Sequence, residues 1–64
     1  MKDFNGKTIE LGQHIRWHDP QDEYKDLARV WEVYDLNEEN EIVCIKDDYG
    51  EAEVFPREIE IINL

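Results

Sequence analysis

The chain is expected to fold as a small all-β domain of five to six short antiparallel strands curled into a barrel, and three observations predict it. Residues 41–62 (EIVCIKDDYGEAEVFPREIEII) read as strand, tight turn, strand, one-turn helix and strand, with no room for an ordinary helix. Residues 13–18 (QHIRWH) alternate apolar and polar side chains with the period of a half-buried strand. The connections between strand candidates are short, and a curled sheet is how so short a chain limits its unpaired edges.

At 64 residues the chain makes one domain, spanning 1–64. A chain of this size hides only about 60% of its unfolded surface, so each core contact matters. Hydrophobic residues are 41% of the total, including two tryptophans, three tyrosines and two phenylalanines. That supply predicts a folded core and sets the chain apart from disordered segments of similar charge.

Taken in order, residues 7–11 (KTIEL) are a short strand candidate behind an Asn5-Gly6 turn, and Gly12 permits a reversal. In residues 13–18, Ile15 and Trp17 point one way and His14, Arg16 and His18 the other. Asp19-Pro20 ends that strand, and residues 19–26 form a polar loop with one aromatic, Tyr24. Residues 27–36 (LARVWEVYDL) form the longest strand candidate. A helix also fits Leu27, Val30, Trp31 and Tyr34, but Val, Trp and Tyr dominate and no cap is visible. Ala28 and Val30 share a face, and a bulge or bend near Trp31 is needed to bring Val33 to the core. Trp31 then either faces out as an interface anchor or is turned inward by the bend to plug the barrel.

Residues 37–40 (NEEN) make a turn, and residues 41–46 (EIVCIK) are apolar on both faces, as an internal strand with Cys44 packed as a small hydrophobe. Residues 47–50 (DDYG) make a tight turn with Gly50 at the expected positive-φ position. In residues 51–55, Ala52 and Val54 point inward while Glu51 and Glu53 point outward. Pro56 presets a 3₁₀ turn over residues 56–58, and residues 59–62 finish as a strand.

Seventeen acids against seven bases give a formal net charge of −10. Such a chain is repelled by phosphate backbones and anionic lipid, so direct nucleic-acid binding is not expected. The surplus carboxylates suit a basic protein partner, a nucleic-acid-mimicking decoy, or simply solubility. Cys44 is the single cysteine, which fits a reducing, cytoplasmic compartment. No apolar run approaches the roughly 18 residues a membrane helix needs, and MKDFNGKTI has no signal-peptide core.

Catalytic and metal chemistry find little support. On a strand, His14 and His18 lie roughly 13 Å apart at about 3.3 Å per residue, too far to share a metal at Zn–N distances near 2.0 Å. Cys44 has no flanking cation to lower its thiol pKa, and the chain contains no serine. Neither an enzyme activity, a cofactor nor a metal is expected.

The order of elements resembles SH3-like barrels, and some residues resemble Tudor domains. Ala28-Arg29-Val30 with Glu32-Val33 looks like the second strand of that family. Ile45-Lys46-Asp47-Asp48-Tyr49-Gly50-Glu51 with Glu53-Val54 looks like its Asp-Tyr-Gly hairpin, and Glu58-Ile59 with Ile61 looks like its closing turn and strand. The resemblance covers residues 13–62 and implies a binding module that grips a methylated cation in an aromatic cage. Trp17 stands near the first cage aromatic and Tyr49 matches the hairpin tyrosine. The pattern departs elsewhere: Lys46 or Asp47 replaces the second hairpin aromatic, Glu51 the asparagine, and Lys25-Asp26-Leu27 the aromatic pair.

The expected function is therefore protein–protein binding through an aromatic patch drawn from Trp17, Trp31, Tyr34 and Tyr49 and rimmed by carboxylates such as Glu51. A decoy of a nucleic-acid-binding protein and a homodimer joined through Trp31 and Tyr34 are the alternatives.

Overall fold

The computed structural model describes residues 1–21 and 29–64. The strands are β1 (His14–Trp17), β2 (Trp31–Asn37), β3 (Ile42–Asp47), β4 (Gly50–Val54) and β5 (Ile59–Ile62), with a 3₁₀ turn at Pro56–Glu58 before the last. They form one sheet in the order β4-β3-β2-β1-β5, every neighbouring pair antiparallel. The all-β expectation holds, and no helix among the described residues is long and apolar enough to cross a membrane.

The inner face follows from alternation along each strand, interrupted once in β2. Ile15 sits opposite Trp31 on one side and Ile61 on the other, Val33 opposite Ile45, and Val43 opposite Val54. All seven are buried, with Ile59 from β5 and Ile9 from the N-terminal segment completing the core. Each fully buried Ile or Val of this kind contributes roughly 1.5–3 kcal/mol.

A bulge displaces the register of β2 against β3 between Val33 and Asp35, with Tyr34 as the extra residue. The bend was expected near Trp31, with Ala28 and Val30 inward. The strand instead turns Trp31 and Val33 inward, and the later bulge brings Leu36, not Asp35, to face Val43. Without that extra residue a carboxylate would enter the core. Tyr24, Leu27 and Ala28 lie outside the described residues, so the expectations placed on them do too.

Three further expectations are corrected. Residues 7–11 do not form a strand; the N-terminal segment makes a single bridge between Lys2 and Thr8. Gly50 is not a positive-φ residue but opens β4; among the glycines only Gly6 and Gly12 have positive φ, at 82° and 86°. Cys44 does not join the core: it sits half-buried on the outer face, opposite Asp35 and Glu53.

The barrel is not closed by strand pairing, because no ladder joins β4 to β5 among the described residues. The outer edge of β5 is taken by the N-terminal segment instead. Phe4 N donates to Ile59 O at 3.1 Å, and Ile61 N donates to Asp3 Oδ2 at 3.0 Å. Asp3 Oδ1 also accepts from the amides of Asn5 and Lys7, so this carboxylate ties the first turn of the chain to its last strand.

Candidate functional site

The β3–β4 turn is built around Asp47. Its Oδ1 accepts from Tyr49 N at 2.8 Å and Gly50 N at 3.0 Å, an Asx turn that makes positive φ at Gly50 unnecessary. The turn holds Tyr49 out in solvent, 87% exposed. The other carboxylate oxygen accepts from Arg29 Nε. That Arg29 hydrogen bond lowers the Asp47 pKa to about 2, against the opposing pull of burial and with help from the two turn amides.

Arg29 in turn lies against two rings. Its guanidinium carbon is 4.0 Å from the centre of the Trp31 ring and 5.7 Å from that of Tyr49. Trp31 is 6% exposed, so the inward alternative holds and the tryptophan is a wall of the corner, not a free anchor. Trp17 meets it edge-on, with ring centres 5.8 Å apart at 83°, and donates from Nε1 to Glu58 Oε2 at 3.0 Å. A continuous run of contacts therefore leads from Tyr49 at the surface through Arg29 and Trp31 to Trp17 and the 3₁₀ turn.

Beside this corner lies an open cleft of about 380 Å³, floored by Trp31 and lined by His14, Glu32, Lys46, Asp47 and Asp48. His14, Glu32 and Lys46 form one cross-strand row on the outer face. Lys46 Nζ is 3.9 Å from Glu32 Oε2, an exposed pair of small energetic weight.

Tyr34 and Glu51 belong to a second group on the outer face. The Tyr34 hydroxyl donates to Glu51 Oε2 at 3.1 Å, and Lys46 Nζ stands 5.8 Å from the Tyr34 ring. Burial, then the Glu51 hydrogen bond and charge, raise the Tyr34 pKa. Burial and the carboxylates of Asp35, Glu53 and Glu51 raise that of Cys44, which disfavours its thiolate. Lys46 reaches both groups, lining the cleft beside Glu32 and standing over the Tyr34 ring.

The five residues expected to bind a partner thus divide. Trp31 and Tyr49 share Arg29, Trp17 backs Trp31 from the interior, and Tyr34 with Glu51 forms a separate pair. Arg29 and Asp47, which organise the corner, were not among them. An arginine two residues before a strand tryptophan is the signal that could have found the first. His18 does not join His14; its Nε2 lies 3.1 Å from Glu60 Oε1, and its ring packs 4.8 Å from Phe4. Among the described residues no three His, Cys, Asp or Glu side chains are grouped to hold a metal ion.

Comparison of the chain with protein-family models, curated proteins and solved structures gives no match.

Proposed function

We propose that this chain is a small interaction module of SH3-like architecture that binds a basic protein partner through the Tyr49–Arg29 corner and the adjoining carboxylate-lined cleft, in a reducing intracellular compartment. The observation that carries the reading is Tyr49, a ring 87% exposed on a turn whose backbone is tied by two hydrogen bonds to Asp47. An amphipathic ring presented this way loses little conformational freedom on binding. Glu32 and Asp48 in the cleft supply charge complementarity, and a net charge of −10 speeds the approach of a cationic partner. The strand order, with β5 returning to pair with β1, supports the SH3-like reading.

The test is affinity capture from the native host with wild type, Tyr49→Ala, Glu32→Gln and a distant control, Leu11→Ala. The reading expects a basic protein held by wild type and control and lost from the other two. A captured set that is identical for all four chains overturns it.

A second reading, the nucleic-acid-mimicking decoy, gains from one observation. Glu32, Asp35, Glu51 and Glu53 share the outer face of β2 and β4, so part of the acid surplus is gathered on one surface. Capture that collapses with modest salt, survives Tyr49→Ala and yields a nucleic-acid-binding protein would favour it.

A further inference from the structure

We propose that the Trp31 face, the Tyr49 ring and the Asp47 carboxylate form a guanidinium-recognition site, occupied in the free protein by the chain's own Arg29, and that an arginine side chain of the partner takes its place. The proposal rests on the interaction reading above and names the chemistry of the partner.

Two walls of this site, the Asp47 carboxylate and the Trp31 face, are anchored independently of Arg29, and the backbone of Tyr49 is held beside them. Asp47 is tied down by the amides of Tyr49 and Gly50. Trp31 is fixed by the core and by the edge of Trp17, whose indole is tied to Glu58. Tyr49 stands on the Asp47 turn itself. A carboxylate and a ring face therefore keep their positions when the cation leaves, which is what distinguishes a preorganised site from an ordinary ion pair.

The geometry selects guanidinium over ammonium. One planar group lies over Trp31, its central carbon 4.0 Å from the ring centre, while its Nε–H donates to Asp47. A lysine ammonium cannot stack and present an in-plane donor at once. Access is open, since the Arg29 side chain is 36% exposed while that of Asp47 beneath it is 7% exposed. Exchange of one arginine for another conserves the cation–π contact and the charge-assisted hydrogen bond, so the occupant can change without leaving a buried carboxylate unpaired. Arg29 competes as a tethered group at an effective concentration on the order of millimolar, which sets a threshold that only a partner with further contacts would pass.

The test is a ¹H–¹⁵N NMR titration with N-acetyl-arginine methylamide of wild type, Arg29→Ala and Arg29→Met, with the lysine analogue as control. The proposal expects saturable shifts at the Tyr49 and Gly50 amides and the Trp31 indole in Arg29→Ala. Half-saturation should fall about tenfold or more below wild type once the tethered competitor is gone. The lysine analogue should bind more weakly, and adding Asp47→Asn should abolish the effect. Arg29→Met keeps a neutral stem over Trp31 and serves if Arg29→Ala does not fold. A folded variant without saturable shifts overturns the proposal, as does equal binding of the two analogues. Unfolding of both variants overturns it as well, because a displaceable occupant cannot be indispensable to the fold. Arginine binding combined with partner capture indifferent to Tyr49→Ala keeps the site and removes the interaction reading; Tyr49-dependent capture without arginine binding does the reverse.

Discussion

Asp3 and Ile61 stand 58 positions apart in the chain, and the Ile61 amide donates to the Asp3 carboxylate at 3.0 Å. With the Asn5 and Lys7 amides on its other oxygen, Asp3 is a charged group, 5% exposed, held by three backbone donors. Asp3→Ala leaves those donors without an acceptor near the core, and its expected cost is about 2–3 kcal/mol. Urea unfolding should show a lowered midpoint with little change in slope. A loss below about 0.5 kcal/mol would mean that water satisfies the three amides equally well.

The pH dependence of stability follows from two carboxylates. Burial works to raise the Asp3 pKa, but its three backbone donors outweigh it and the net shift is downward. Asp47 is lowered from 3.8 to about 2, chiefly by Arg29. Groups depressed on folding contribute stability that is complete above the unfolded pKa and lost as pH falls through the folded one. The stability difference between wild type and Asp47→Asn should therefore be constant above about pH 5 and shrink towards about pH 2. Parallel denaturation curves at pH 7, 4 and 2.5 would check it; a difference that does not shrink on acidification would contradict the Arg29 pairing.

Glu41 carries a positive φ of 55° in the turn between β2 and β3, the one non-glycine residue described to do so. A left-handed conformation costs a side-chain-bearing residue about 1 kcal/mol relative to glycine. Glu41→Gly is thus expected to raise stability by roughly 0.5–1 kcal/mol, reduced by the greater freedom glycine has when unfolded. A thermal midpoint that falls in this variant would show that the Glu41 side chain has a role in the turn.

Trp31 and Tyr49 contact the same guanidinium yet should respond oppositely to truncation. Trp31→Ala opens a cavity in the core and should cost about 3–5 kcal/mol, enough to unfold most of the protein. Tyr49→Ala removes an exposed ring and should change stability by less than about 0.5 kcal/mol. Thermal melts of the two variants read the contrast directly, and a large loss for Tyr49→Ala would make that ring structural.

Much of the fold is legible in the residues. β3, β4, the Pro56–Glu58 turn and β5 follow from an apolar run, alternation, turn residues and one proline. The facing of Trp31 is not legible, because a one-residue bulge inverts the alternation beyond it and the sequence does not mark Tyr34 as its site. The role of Asp3 is hidden for a different reason. It depends on a contact across almost the whole chain, and an aspartate near a glycine turn reads locally as solvated. Tyr49 could be read as exposed from its turn, whereas Asp47 looked like one acid among many. Only the arrival of Arg29 and two amides at its oxygens makes it the pivot of the corner.

The central relationship, Arg29 held between Trp31 and Tyr49 by Asp47, is open to one direct measurement: the ¹H shifts and cross-relaxation of the Arg29 side chain in solution. The account predicts δ-methylene protons shifted upfield by the Trp31 ring, cross-peaks to that ring, and loss of both in Asp47→Asn. Arg29 protons at unstructured-chain shifts, with no contact to Trp31, would contradict it.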